Sequence, residues 1–212
     1  MDIQKVSRRL TLEEVVQGYR RGLFPMASEE LGLITWHRPA RRAILPLDGF
    51  HVSRSLARRI RRGGFTVTVN RAFAAVMAAC AERPSTWISR EFHEVYGALH
   101  RQGKAHSVEV WVEDRLAGGV YGVHLGGGFF AESMFHRATD MSKVALRFLV
   151  ERLREREFLL LEAQYLTEHL ARLGAVEITD RAYLRRLEKA LAVEREFIRA
   201  GEPQQMFPSK EQ

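Results

Sequence analysis

A single cysteine, Cys80, stands in a chain of 212 residues, which excludes an intramolecular disulfide. Phe73, Val76, Met77 and Cys80 fall at i, i+3, i+4 and i+7, the core face of a helix, so the thiol reads as packing rather than chemistry. Long hydrophobic runs are missing too. The longest, FAAVMAACA from Phe73 to Ala81, falls far short of the roughly 20 residues of a membrane helix, and MDIQKVSRRL lacks the apolar region of a signal peptide. A cytoplasmic protein with no membrane partner is expected. The eight histidines include no pair at metal-ligand spacing, so no metal is expected. His106 and Ser107 are strand neighbours on opposite faces and cannot build a Ser-His dyad.

Lysine is scarce as well: only five of the 33 basic residues are lysine, in a chain of net charge +7 and pI near 10.0. The arginines gather in the first third, as Arg8-Arg9, Arg20-Arg21, Arg38 with Arg41 and Arg42, and Arg54 with Arg58, Arg59, Arg61 and Arg62. Guanidinium forks suit phosphate, so a nucleic-acid partner is indicated, against the plainer reading of an arginine-rich codon bias on solvated helices. With 46% hydrophobic and 28% charged residues, the composition is that of a globular protein able to bury a core.

Three parts are expected: a small N-terminal unit over residues 1–40, a larger domain over 41–200 and a loose polar tail over 201–212. TLEEVVQGYRRG opens with Thr11 as a helix cap and stops at Gly22. LFPMASEELGLITWHRPARRAILPL holds three prolines and no sustained period, which predicts irregular structure. FTVTVN alternates as a strand, and helices follow over RAFAAVMAACAER and ISREFHEVYGALHRQG. HSVEVWVEDRLAGGVYGVHLGGGFFAESMF reads as a three-stranded antiparallel meander. A helix beginning near Thr139 or Asp140, the buried strand FLLLEAQ, a helix ending at Gly174, strand AVEI and a helix capped by Thr179 complete the chain.

Two places in this pattern carry unexpected polarity. In GGFFAESMF the period of two puts Phe130, Glu132 and Met134 on one face and Phe129, Ala131, Ser133 and Phe135 on the other, so a carboxylate sits among large apolar groups. In FLLLEAQ, Glu162 and Gln164 share a face with Leu160. Buried polar groups need partners. If the two strands are neighbours, Glu132, Glu162 and Gln164 converge on one groove, fit for an apolar group attached to an amine; pairing of Glu162 and Gln164 with arginine or backbone is the structural alternative.

The order meander, helix, strand, helix, strand resembles the GNAT acyltransferase core. This implies an α+β fold: a mixed, mostly antiparallel sheet flanked by helices, whose two central strands splay into a groove, with a small N-terminal domain. Acetyl-CoA-dependent members carry a glycine-rich loop between meander and central helix. Here that link is HRATDMSK, without glycine, and Asp140 would repel a phosphate. No CoA is expected.

At YRRGLFP, RAILPLDGFHVSRSLAR, TWISREF, LHRQGKAHSVEVW, LAGGVYGVHLGG, ESMFHRATDMSKVAL and LEAQYLTEHLARLGAVEI the chain resembles the bacterial leucyl/phenylalanyl-tRNA-protein transferase family, from about residue 11 to 187. The resemblance implies transfer of Leu or Phe, less readily Met, from aminoacyl-tRNA to the α-amino group of proteins beginning with Arg or Lys, creating a degradation signal, with the tRNA itself as activated donor. By motif, Glu132, Glu162 and Gln164 fall at the catalytic centre. Phe129 and Val120, with Ser133 and Met134, fall at the aminoacyl pocket; Phe129 and Glu132 can share it only if a bulge or twist intervenes. Trp87 and Met26 fall near the terminal adenosine of the tRNA, and Arg42, Arg58, Arg59, Arg61, Arg62 and Lys143 along its backbone. Met26 replaces a common Trp, and Glu162 a common Asp. Glu162 is expected to attract the acceptor amine and Gln164 to orient it or the carbonyl. A monomer is expected. The rivals are a CoA-dependent N-acetyltransferase and a catalytically silent tRNA-binding protein.

Overall fold

The computed structural model describes residues 2–28, 30–199, 201–202 and 205–206. Strand β1 (Ile3–Ser7), helix α1 (Leu12–Arg20), β2 (Phe24–Ser28) and β3 (Leu33–His37) form the N-terminal unit. Thr11 caps α1 by accepting a hydrogen bond from the Glu14 amide. β3 lies between β1 and β2 and is antiparallel to both. The segment expected to be irregular is thus a β-hairpin. Pro25 fits within it because β2 is an edge strand, where a missing amide hydrogen costs no ladder bond.

The rest of the chain runs β4 (Arg41–Ile44), α2 (Arg54–Arg62), β5 (Thr66–Val69), α3 (Phe73–Ala81), α4 (Arg90–Arg101), β6 (Ala105–Val112), β7 (Arg115–Leu125), β8 (Gly128–His136), α5 (Met141–Glu155), β9 (Leu160–Gln164), α6 (Glu168–Arg172), β10 (Val176–Thr179), α7 (Asp180–Leu191) and β11 (Gln205–Met206). Among the described residues its eight strands stand in the order β10-β4-β9-β8-β7-β6-β5-β11. Only β8 and β9 pair in parallel; the other neighbours are antiparallel. The fold is α+β with a mostly antiparallel mixed sheet, as the pattern implies. In the tail expected to be loose, Gln205 and Met206 pair with Thr68 and Val67 of β5; residues 203–204 and 207–212 of that tail lie outside the described residues.

The sheet separates two apolar clusters. On one face Phe73, Val76 and Cys80 of α3 join Phe92, Tyr96 and Leu99 of α4, Val15 and Tyr19 of α1, and Tyr121 and Phe130 of the sheet. On the other, Val144, Phe148 and Leu149 of α5 meet Val108, Val120, Phe129 and Leu161. Both periods expected from the sequence are therefore used, two along the strands and 3.6 along the helices. Asp140 does not cap α5 with its side chain; it adopts a left-handed conformation, φ 67°, and pairs with Lys143 at 2.7 Å.

One irregularity reverses the expected strand parity. Tyr121 pairs with Ser133 and Gly122 with Ala131, so Glu132 has no partner across β7 and forms a bulge. Phe130 and Glu132 keep to the α1/α3/α4 face, but Met134 moves to the α5 face with Phe129 and Ala131, and Phe135 moves the opposite way. The extra residue thus aims Glu132 and Ser133 in succession to one side.

Close approach of backbone fixes α5 above the sheet. A Cβ on Gly118 would lie 2.6 Å from the Met141 Cβ and 2.7 Å from its carbonyl carbon, so only glycine lets β7 meet the first turn of α5. Gly118→Ala should therefore lower unfolding free energy by about 1 to 3 kcal/mol, read by urea denaturation. Unchanged stability would mean that α5 is free to stand off β7.

Candidate active site

The parallel pairing of β8 and β9 ends at Phe130 and Glu162. Beyond it the strands part, and a cleft of about 580 Å³ opens between Glu132, Ser133 and Met134 on one side and Ala163 and Gln164 on the other. Leu45, Val120, Met134, Leu146 and Leu161 line an apolar recess beneath α5, while Glu82, Arg83, His136, Arg137 and His169 form a polar rim. A cleft with an apolar body and few converging polar groups suits a ligand with one apolar side chain.

Glu132, 8% exposed, is the polar centre of this cleft. Tyr19 from α1 donates a short hydrogen bond to its Oε1, Gln164 donates to the same oxygen at 3.2 Å, and Tyr96 from α4 donates to Oε2 at 3.4 Å. Gln164 reaches it from a left-handed backbone, φ 59°. Such a conformation in a residue other than glycine costs about 1 kcal/mol or more, and here it turns the amide into the cleft. Burial is the largest influence on the Glu132 carboxyl and raises its pKa; the charge of Glu162 raises it further, the hydrogen bonds from Tyr19, Gln164 and Tyr96 lower it, and the result is about 8. Burial, then the charge of Glu132, holds Tyr19 and Tyr96 well above the ordinary phenol range, so both stay donors.

Glu162 is in a different state. It is fully buried, its Oε1 takes Nε of an equally buried Arg42 at 2.6 Å, and its Oε2 takes the Tyr183 hydroxyl at 2.7 Å. Arg42 also donates to the Gly22 carbonyl at 2.9 Å and lies between the rings of Phe24 and Tyr183, 4.7 and 4.4 Å from their centroids. Burial opposes the guanidinium charge, but Glu162 and Tyr183 outweigh it and hold the pKa above its ordinary value. Two expectations fall here. Glu162 has no oxygen left to attract an acceptor amine, and Arg42 cannot lie along a tRNA backbone, because each is the other's buried counterion.

Comparison with known proteins bears on the same residues. The model of the leucyl/phenylalanyl-tRNA protein transferase family matches residues 44–188, and that of its N-terminal domain matches 8–40. The chain belongs to this family. A relative from Ruegeria pomeroyi is 54% identical over 180 residues, covering 84% of this chain and 86% of its own. One from Cereibacter sphaeroides is 55% identical over 193 residues, covering 91% and 90%, and one from Rubrobacter xylanophilus is 54% identical over 190, covering 89% and 99%. Each carries the name leucyl/phenylalanyl-tRNA–protein transferase. Among solved structures, L-PGS from Bacillus licheniformis is similar at a TM-score of 0.42 with 15% identity, over 78% of this chain and 57% of that one.

The transferase motifs are brought together unevenly. Glu132, Gln164, Ser133, Met134 and Val120 all border the cleft. Phe129 does not: despite the bulge it stays on the α5 face, stacked on Phe197 at 5.2 Å. Ser133 accepts from Arg83 at 3.2 Å. Trp87 and Met26 pack against the α3/α4 cluster, Trp87 edge-on to Phe92 at 5.3 Å, and neither borders the cleft. On α2, Arg58, Arg61 and Arg62 are exposed, whereas Arg59 donates to the Gly63 carbonyl at 2.6 Å and covers Phe65. Lys143 is engaged by Asp140. Tyr19, Tyr96, Tyr183, Leu45, Leu146 and Leu161 escaped the sequence reading as site residues. The tyrosines did leave a signal, since a phenol on the buried stripe of a helix needs a partner for its hydroxyl.

Two outcomes test this electrostatic arrangement. Arg42→Ala strands a buried carboxylate and should cost about 3 to 5 kcal/mol, whereas Arg42→Met with Glu162→Leu should recover most of the loss; equal loss in both, by chemical denaturation, would show that the charges do not matter. Glu132 binds its proton more tightly folded, with a pKa of about 8 against 4.5 unfolded. Its contribution is therefore full below about pH 4.5 and is lost as pH rises through about 8. The melting temperature of the wild type should fall across that window relative to Glu132→Gln, and parallel curves would contradict the shift.

Proposed function

We propose that this chain transfers Leu or Phe, and less readily Met, from aminoacyl-tRNA to the α-amino group of proteins that begin with Arg or Lys, in the cytoplasm and as a monomer. The modified protein then carries a degradation signal. The observation that carries this reading is the pairing of Glu132 with Gln164 beside an apolar recess, where the strands part, in a chain of the transferase family. The recess of Val120, Met134, Leu146 and Leu161 takes the aminoacyl side chain. Trp87 and Met26 lie toward the terminal adenosine, where the flat ring stacks on a base. Arg58, Arg61 and Arg62 meet the tRNA backbone, with strength that falls as salt rises.

The reaction needs little beyond placement. An aminoacyl ester is already activated, so the acceptor nitrogen attacks the carbonyl carbon, a C–N bond forms, and the ester C–O bond to the ribose breaks. Holding the amine against the carbonyl supplies most of the rate. Glu132 takes the part expected of Glu162: with a pKa of about 8 it is matched to an α-amino group, ordinarily about 7.7 to 8.0. In the fraction ionised at cytoplasmic pH, Glu132 can take the proton leaving the amine and pass it on to the departing ribose oxygen. Gln164 fixes Glu132 and orients the carbonyl. No CoA and no metal take part.

Transfer of labelled leucine from Leu-tRNA to peptides beginning with Arg, Lys, Asp or Ala, with free leucine as control, tests the whole. Label on the Arg and Lys peptides alone is the expected result. No transfer to any peptide with tRNA binding intact would instead favour a silent tRNA-binding protein.

A further inference from the structure

Of the carboxyl groups in and near the cleft, Glu132 is held by the neutral donors Tyr19, Tyr96 and Gln164, and most of the others have a cation. Glu82 is paired with Arg137 at 2.8 Å, Asp140 with Lys143 at 2.7 Å and Glu162 with Arg42 at 2.6 Å. Asp2 has no such cation among the described residues. Its backbone is anchored, since its carbonyl accepts from the Arg38 amide at 2.7 Å. Its Oδ2 lies 3.5 Å from the hydroxyl of Tyr165, the cleft residue that follows Gln164. Tyr165 is 38% exposed, and its ring packs T-shaped against Phe24, centroid to centroid 5.5 Å. His37 Nδ1 lies 3.4 Å from the same hydroxyl. Burial lowers the His37 pKa although Asp2 pulls it upward, so at neutral pH the imidazole leaves the Asp2 charge uncompensated. A carboxylate with no cation among the described residues, beside a part-exposed tyrosine ring in a chain of net charge +7, is a local exception that favours a cation.

We propose that the Asp2 carboxylate and the Tyr165 ring form the subsite that reads the cationic side chain of the acceptor's first residue. The inference rests on the proposed reaction with Arg- and Lys-initiated acceptors. Tyr165 follows Gln164 directly, so a substrate whose α-amino group meets Glu132 and Gln164 has its first side chain beside this ring. A guanidinium or ammonium there lies over the phenol face with the carboxylate at its rim. The N-terminal unit thereby contributes the charge, and the catalytic domain the ring.

Steady-state transfer from Leu-tRNA to peptides beginning with Arg, Lys or Ala tests this with four variants. Asp2→Asn should raise KM for the Arg and Lys peptides about tenfold, as expected for loss of one charge-assisted contact, and leave KM for Leu-tRNA unchanged. Asp2→Glu should recover most of the loss. Tyr165→Leu should raise KM for both cationic peptides and leave KM for Leu-tRNA unchanged, and Tyr165→Phe, which keeps the ring and loses the bond to Asp2, should raise it less. An unaltered KM for the Arg peptide in Asp2→Asn overturns the proposal, as does an equal rise for Leu-tRNA. A wild type that modifies the Ala peptide as readily as the Arg peptide, or none of them, overturns it too, and does so by refuting the underlying reaction before any variant is compared.

Discussion

The ion pair between Arg42 and Glu162 is the contact on which the rest of the site depends. Removing two charges from water is costly, and their attraction offsets that cost only when every remaining donor and acceptor is satisfied. Here the Gly22 carbonyl, the Tyr183 hydroxyl and two aromatic rings meet that condition. The partners come from the N-terminal unit, β4, β9 and α7, so one buried pair fastens four parts of the chain. Glu162 is also the last residue of β9 paired with β8, two before Gln164 turns into the cleft.

The two central carboxylates consequently occupy opposite conditions. Glu162 is neutralised by a counterion and spent on structure. Glu132 is surrounded by neutral donors from Tyr19, Tyr96 and Gln164, and burial, with the charge of Glu162 adding to it, pushes its pKa upward. Environment alone thus separates a carboxylate locked to its counterion from a carboxyl that holds its proton more tightly than usual. The bulge at Glu132 completes the division, because an unbroken strand would have placed Ser133 and Met134 on the opposite faces.

Much of this was legible in the sequence, and the failures have physical causes. The meander and the helices announce themselves through periods of two and 3.6, and Glu132 is conspicuous because a carboxylate interrupts an apolar face. A bulge leaves no such mark: an inserted residue changes the facing of its successors without changing composition, so Met134 and Phe135 lie on the faces opposite to those that the period of two predicts. Arg42 looked like one of a phosphate-seeking cluster because its partner is 120 residues away. The N-terminal hairpin was hidden by Pro25 and by short strands that carry no full period. The motif order located the family and the cleft, but which acid stays free is decided by packing across the sheet.

The pairing of Gln205 and Met206 with β5 has a consequence for life at high concentration. Thr66–Val69 is a β-branched tetrapeptide whose backbone would otherwise offer unpaired amides and carbonyls along the rim of the main sheet. Such a rim templates strand addition by other molecules. By pairing Gln205 and Met206 with Thr68 and Val67, the chain occupies part of that rim and shortens the stretch open to strand addition.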